Sequence, residues 1–396
     1  MGGGDHRSGP ADLGGPVGDR PFGVYVHVPF CRSRCDYCAF ATYTDRDHLM
    51  VEYAAACVTE LGRAVDEEEI PAATSVFFGG GTPSRLPADL LAEVLDAVPR
   101  VRGAEVTVEC NPEDATADRF AAYRAAGVTR VSLGVQSTVA HVLVGLGRRH
   151  TPGAVTEAAA AAGGAGFDSW NMDLIIGGAG EADDDWDRSL ADVLSLPAVP
   201  PHVSAYALTV EPGTPLGRDP GRHPDDDVQA ARYERTDEVL TAAGYQWEEV
   251  SNWARPGHEC RHNHLYWEQG DYRGIGSAAH SHRAGHRWWN VRTPDRYIAE
   301  IGAGRTARVG EERLDPEERA LERLFLAVRT RRGVPAEALA TPTGTGSATA
   351  GATEDGVPED LDGLVERVGD RMVLTVRGRL LANAVSARLV AGPVGA

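Results

Sequence analysis

The chain has 396 residues, 42% of them hydrophobic and 24% charged. That exceeds the roughly 250 to 300 residues at which one hydrophobic core stops growing, so a large domain with at least one smaller one is expected. No run approaches the roughly 20 apolar residues of a membrane-spanning helix, and residues 1–20 lack the apolar stretch of a secretory signal, so a cytoplasmic location is expected. With 58 acidic against 39 basic residues the formal charge is -19, which disfavours nucleic acid and anionic lipid as partners.

Residues 1–21 are rich in glycine and read as a flexible tail. Short apolar runs then alternate with alanine- and leucine-rich stretches. Strands are predicted at 24–28, 75–78, 105–109, 128–135, 171–176 and 203–208, and helices at 47–64, 87–97, 117–126 and 154–162. Repeated β-then-α units make an α/β fold, either a doubly wound sheet or a complete or partial barrel. The position of the unusual residues favours the barrel. Cysteines at 31–38, glycines at 79–81, and Glu109, Gln136, Asp173 and Ala207 each follow or end a successive strand, and in a barrel those loops meet on one face.

The pattern changes after about residue 216. A helix is predicted at 233–243, followed by a polar, aromatic segment at 245–289, a helix at 316–328 and a short helical element at 334–339. Residues 341–356 are rich in Gly, Thr and Ala and read as a mobile insertion. The last part, 361–389, reads as a short helix, a turn at Gly369 and Asp370, a strand at 372–375 and a final helix. This gives four expected regions: a tail at 1–21, a barrel at 22–216, an extension at 217–304, and an α+β cap, helical or winged-helix-like, at 305–396. The net charge argues against reading the cap as a DNA-binding module.

Cys31, Cys35 and Cys38 form C-x3-C-x2-C directly after the first predicted strand, while Cys57, Cys110 and Cys260 are scattered. Such clustering favours a metal or cluster site over a disulfide framework. Three thiolates suit three irons of a four-iron cluster and leave the fourth iron open. A zinc site would need another donor, for which His27 is nearest.

With this spacing the chain resembles the radical S-adenosylmethionine (SAM) superfamily. Around Tyr25-Val26-His27-Val28-Pro29-Phe30-Cys31 it resembles the branch that holds coproporphyrinogen III dehydrogenases and heme chaperones. The likeness implies a partial (β/α)6 barrel and a [4Fe-4S] cluster on Cys31, Cys35 and Cys38. It also implies SAM chelated at the open iron and cleaved reductively to a 5'-deoxyadenosyl radical. The residues it places near SAM are Tyr25, Tyr37, Gly80, Gly81, Thr82, Glu109, Gln136, Arg148, Asp173, Ala207 and Ile275. One departure stands out. After Asp173 the family continues with an aromatic residue, Gly, Leu, Pro and Gly, whereas this chain has Ile176-Gly177-Gly178-Ala179-Gly180, and loss of the proline is expected to loosen that turn.

Two features bear on the branch. The dehydrogenases carry a further cysteine two positions after the third cluster cysteine, and this chain has Phe40 there, an apolar ring that cannot do a thiol's work. The segment His262-Asn263-His264-Leu265-Tyr266-Trp267 matches the H-N-x-x-Y-W motif of the heme chaperones, which implies His262 as a heme ligand with Tyr266 and Trp267 nearby. The resemblance thus implies a heme chaperone with heme, recipient respiratory hemoproteins and an electron donor as partners. Peripheral membrane association through those recipients, and self-association, are left open. The alternative is oxygen-independent oxidative decarboxylation of coproporphyrinogen III to protoporphyrinogen IX.

Overall fold

The computed structural model describes residues 20–339 and 357–389. The expected tail at 1–21, apart from its last two residues, and the insertion at 341–356 lie outside them. Six parallel strands form the centre: β1 (Phe22–Val28), β2 (Ala73–Gly80), β3 (Arg100–Cys110), β4 (Arg130–Gln136), β5 (Ser169–Ile176) and β6 (His202–Ala207). These are the six strands predicted, displaced by a few residues at their ends. Val24, Val26, Val76, Phe78, Val108, Val131, Leu133, Met172 and Leu174 are all but inaccessible to solvent, as expected of parallel strands covered by helices.

The crossover helices are α1 (Met50–Asp66), α2 (Ala88–Asp96), α3 (Ala117–Ala126), α4 (Ala140–Gly145), α5 (Pro152–Gly164) and α6 (Asp183–Leu194). Local chemistry sets several ends. Thr116 accepts a hydrogen bond from the Arg119 amide at the start of α3, and Gly127, with φ of 96°, closes it. Thr151 and Pro152 open α5 in the same way. α4 and α6 have no counterpart among the predicted helices. After β6 comes α7 (Asp226–Ala242), longer than predicted because its N-terminal turn, capped by Asp225, is polar.

Residues 245–289, expected to be a polar, aromatic segment with few long helical repeats, open a run of short strands that extends to 313. It contributes β7 (Gln246–Glu249), β8 (Asn252–Ala254), β9 (Asp271–Ile275), β10 (His280–Arg283), β11 (His286–Asn290) and β12 (Arg308–Arg313), with α8 (Arg261–Trp267) and α9 (Pro294–Gly302) between them. The whole sheet runs β12-β11-β10-β9-β1-β2-β3-β4-β5-β6-β8-β7. Its two edges do not pair, so the arc is a partial barrel. β9 lies parallel to β1, with Val26 opposite Ile275, and this places the extension beside the first strand. Glu60 on α1 fastens it: its buried carboxylate pairs with Arg273 at 3.0 Å and accepts from the Gly276 amide, Asn290 and Tyr297.

The cap begins with α10 (Pro316–Ala327), opened by a reciprocal pair of bonds between Asp315 and Glu318. It continues with β13 (Val334–Pro335), β14 (Val365–Val368), β15 (Arg371–Leu374), α11 (Val376–Leu380) and α12 (Ala382–Ser386). The three strands form their own sheet around a second apolar core that includes Leu339, Leu361, Met372 and Val385. Two expectations are corrected here. Of the short helical element expected at 334–339, Val334 and Pro335 are strand while Ala336–Leu339 form a 3-10 turn, and the predicted short helix after 361 is β14, which pairs with β15 across the turn at 369–370. Among the described residues no helix is long and apolar enough to cross a membrane.

Candidate functional site

The C-terminal ends of the parallel strands open onto a cavity of about 640 Å³. Cys31, Cys35, Tyr37, Cys38, Gly80, Gly81, Thr82, Glu109, Gln136, Arg148, Asp173 and Ala207 all line it. The chain from Cys31 to Cys38 forms no helix. It is tied down by the Cys31 amide donating to the Tyr43 carbonyl and the Asp36 amide to that of Leu146. None of the three cysteines is in a disulfide. The Thr82 hydroxyl lies 3.5 Å from Cys31 Sγ, and an Arg148 nitrogen lies 3.4 Å from Cys35 Sγ. Burial pushes the Cys31 and Cys38 thiols up, so they stay protonated until bound metal draws the protons off.

Among the described residues no group of three or more His, Cys, Asp or Glu side chains converges closely enough to hold a single metal ion. A four-iron cluster asks for something else, one thiolate on each of three irons. Three free thiols on one wall of one cavity, with arginine and hydroxyl donors beside two of the sulfurs, fit that demand.

The glycines beside them are needed for space. Gly80 has φ of 105°, and a Cβ there would fall 2.3 Å from the His27 ring. A Cβ on Gly81 would meet the Val28 carbonyl oxygen at 2.7 Å. The Gly80 amide donates to Glu109 at 3.2 Å, joining the second and third loops. Glu109 is pushed up to about 8 by burial, with nearby Asp173 adding to the effect. Burial raises Asp173 too, against hydrogen bonds from Asn171 at 2.7 Å and Ser132 at 3.1 Å. Arg148 spans the far wall and donates to Asn111 at 2.8 Å and to the Gly134 carbonyl at 2.5 Å. Gln136 sits at φ of 67°, a backbone conformation that costs about 1–3 kcal/mol and persists only where its surroundings enforce it.

The turn after Asp173 is not loosened by the missing proline. Glu181 accepts the Gly177 amide at 2.7 Å and is itself held by buried Arg232 at 2.8 Å.

Several site residues carry no sequence motif. Asn171 donates to Ser204 at 3.0 Å, Ser204 to Asn252 at 2.7 Å, and His202 bonds Asn252 at 2.9 Å. With Arg130 and Asn111 they form the polar wall of the cavity. Alternate polar positions on strands otherwise rich in Val and Leu were the available signal.

The remaining expected residues lie elsewhere. Ile275 is fully buried in the main core and lines neither the cavity described above nor the one beside it. Tyr25 lines a second cavity, of about 620 Å³, which shares Phe40, Gly80 and Glu109 with the first. His262 is fully buried. Its Nδ1 is 2.9 Å from Ser75 Oγ and its Nε2 2.7 Å from the Tyr266 hydroxyl, with Phe77 stacked on the ring at 5.3 Å. Gly23 allows this close approach, since a Cβ there would meet Leu265 at 2.5 Å, and Glu105 anchors α8 by accepting the Arg261 and His262 amides. Both ring nitrogens of His262 are therefore occupied in this conformation. Tyr266 faces the second cavity, but Trp267 lines a third, beside His264 and Glu248, so the two aromatic residues of the motif do not share a surface.

Comparison with known proteins places the chain. The radical SAM superfamily profile matches residues 25–193 and the HemN C-terminal domain profile residues 314–381. The protein named heme chaperone HemW in Mycobacterium tuberculosis (strain ATCC 25618 / H37Rv) is 46% identical over 395 residues, covering 96% of this chain and 98% of the relative. The chain belongs to the HemW family of radical SAM proteins. The family member from Bacillus subtilis (strain 168) is 32% identical, covering 91% and 97% of the two chains. The structure of coproporphyrinogen III oxidase (HemN) from Escherichia coli, a radical SAM enzyme, superposes with a TM-score of 0.78 over 94% of this chain and 90% of that one. At 20% identity that likeness speaks to fold alone.

Proposed function

We propose that this HemW-family protein is a heme chaperone, binding heme and passing it to respiratory hemoproteins. A [4Fe-4S] cluster and SAM would be held in the first cavity. The observation that carries the choice between chaperone and decarboxylase is Phe40. It stands 65% exposed where the two cavities meet, at the position where the dehydrogenases have a thiol. A side chain without a titratable group supplies no proton or hydrogen atom to a propionate, but it offers an apolar face to a macrocycle.

In this reading Cys31, Cys35 and Cys38 hold the cluster. When bound, the cluster and SAM supply one-electron chemistry at the sulfonium. The chain's own residues bind and orient. Gly80 and Gly81 let the ligand approach the backbone, and Glu109 and Asp173 offer acceptors to ribose hydroxyls and the ammonium group. Arg148 takes the carboxylate end or holds the loop beside Cys35. Tyr37 covers the cofactor from the cysteine loop. An electron donor is required, and heme and recipient hemoproteins are the partners.

The test is heme transfer. Heme-loaded full-length protein, mixed with an apo-hemoprotein of respiratory type, is expected to lose its Soret absorbance as the recipient gains its own. A protein that binds no heme, or that binds it and never releases it to a recipient, is not a chaperone.

A further inference from the structure

Reductive cleavage of SAM takes one electron from the cluster, and that electron has to arrive across the protein surface. The surface beside the cysteine loop differs in charge from the chain as a whole. In a protein with 58 acidic and 39 basic residues, an open depression of about 510 Å³ is lined by Arg32, Arg34, Arg148 and Arg149 and by one carboxylate, Asp36. Asp36 is already spent on Arg222 at 2.7 Å. Arg149 is exposed and, among the described residues, makes no hydrogen bond or ion pair. Arg34 has no carboxylate partner there either, its guanidinium donating only to the Cys38 carbonyl. Arg32 shares its charge with buried Asp114 at 3.2 Å. The depression is therefore positive on a strongly negative molecule.

Val144 lines it as well. At 74% exposed it is the most exposed large apolar side chain among the described residues, while Val142 and Leu143 beside it on α4 are buried, so the core does not account for it. An apolar side chain set among arginines is the make-up of an interaction surface, and one this small suits the weak encounters of electron-transfer partners.

The same arginines touch the cluster residues. Arg34 reaches the Cys38 carbonyl at 3.1 and 3.2 Å, and Arg148 lies 3.4 Å from Cys35 Sγ. The Asp36 amide donates to the Leu146 carbonyl, and Arg222 donates to the Gly145 carbonyl at 2.7 Å. These bonds clamp the cysteine loop to the end of α4 and present the charges without rearrangement.

We propose that this face is the docking site of an acidic one-electron carrier protein, seated with its carboxylates against Arg32, Arg34 and Arg149 and an apolar contact on Val144. The proposal rests on the reading that Cys31, Cys35 and Cys38 hold the cluster. One electron passes from the reduced carrier to the cluster, so the carrier is oxidised and the cluster reduced by one. The net charge of the chain repels such a carrier elsewhere and steers it to this face. An anionic bilayer offers the same charge but is planar, whereas the arginines line a depression.

The probe is a plant-type [2Fe–2S] ferredoxin with an acidic surface, and the variant is Arg149→Glu with Val144→Glu, two side chains that make no contact with the cysteines. Calorimetric titration of the full-length protein without its cluster is expected to show binding to ferredoxin that weakens with salt, and a Kd raised at least about tenfold in the double variant. After reconstitution, the rate of oxidation of reduced ferredoxin is expected to fall by a similar factor, while cluster reduction by dithionite, followed by absorbance, stays at the wild-type rate. An unchanged Kd and an unchanged rate with ferredoxin overturn the proposal and leave the cluster reading standing. Slower reduction by dithionite as well overturns it, because the two residues would then act on the cluster and not on docking. Binding of the wild-type protein to phosphatidylglycerol vesicles, lost in the variant, with no binding of ferredoxin, overturns it in favour of a membrane contact. If the reconstituted wild-type protein holds no reducible cluster, the cluster reading and the proposal fall together.

Discussion

Replacing Glu109 with Gln should make the protein more stable at alkaline pH and less able to hold SAM. Glu109 faces the cavity with its pKa raised from 4.5 to about 8, chiefly by burial and then by Asp173. A carboxyl raised in this way is protonated in the folded state and ionised in the unfolded state between those two values. Its contribution therefore lowers stability as pH rises through the window and levels off above about 8. At about 1.4 kcal/mol per pKa unit the full shift corresponds to about 5 kcal/mol. Water in the cavity screens the charge, so a stabilisation of about 2–3 kcal/mol by Glu109→Gln is expected at pH 8 and above. The amide still accepts the Gly80 N–H, so the two proteins should agree near pH 4.5. Urea midpoints of both, taken from pH 5 to 9, isolate this one group because every other titration is common to the pair. Parallel pH profiles would refute the reasoning. Equilibrium dialysis at pH 9, where the Glu109 carboxyl is ionised, should show weaker SAM binding by the variant, since a neutral amide takes less of the ligand's positive charge.

Gly80→Ala, which drives a Cβ into the His27 ring and holds alanine at φ of 105°, should lower stability by about 1–3 kcal/mol, measured by thermal unfolding. Arg379→Ala breaks the 2.6 Å pair with Asp237 and the stacking of the guanidinium on Trp247 at 3.9 Å. It should cost about 2–3 kcal/mol by urea unfolding and make the cap more susceptible to proteolysis than the barrel. Serine at Cys31, Cys35 and Cys38 together should reduce iron after anaerobic reconstitution to background, measured by iron content and the charge-transfer absorbance near 400 nm; retained iron would place the cluster on other residues.

The barrel was legible because its strands are short apolar runs and its unusual residues fall at their C-terminal ends, which forces them onto one face. Twelve of the expected residues meet there for that reason. The antiparallel half of the sheet was not legible. Its strands are only three to six residues long and mix His, Trp, Arg and Asn, so neither period stands out. In β14, Val365 and Val368 are three apart and mimic a helical face; pairing with β15 overrides that spacing.

The motif at 262–267 shows another limit. On α8, His262 and Tyr266 are four residues apart and share a face, whereas Trp267 turns away from it. Helical spacing alone separated Tyr266 from Trp267, but whether the shared face met solvent or the sheet depended on Gly23 and Glu105, which are distant in sequence.

The most direct test of the central claim follows the tetrapyrrole. Cluster-reconstituted protein is incubated anaerobically with SAM, a strong reductant and coproporphyrinogen III, and 5'-deoxyadenosine and tetrapyrrole masses are read together. The chaperone account predicts that the tetrapyrrole mass stays unchanged whether or not SAM is cleaved. Stepwise loss of one and then two carboxyl groups, in proportion to 5'-deoxyadenosine formed, would contradict it and make the protein a decarboxylase.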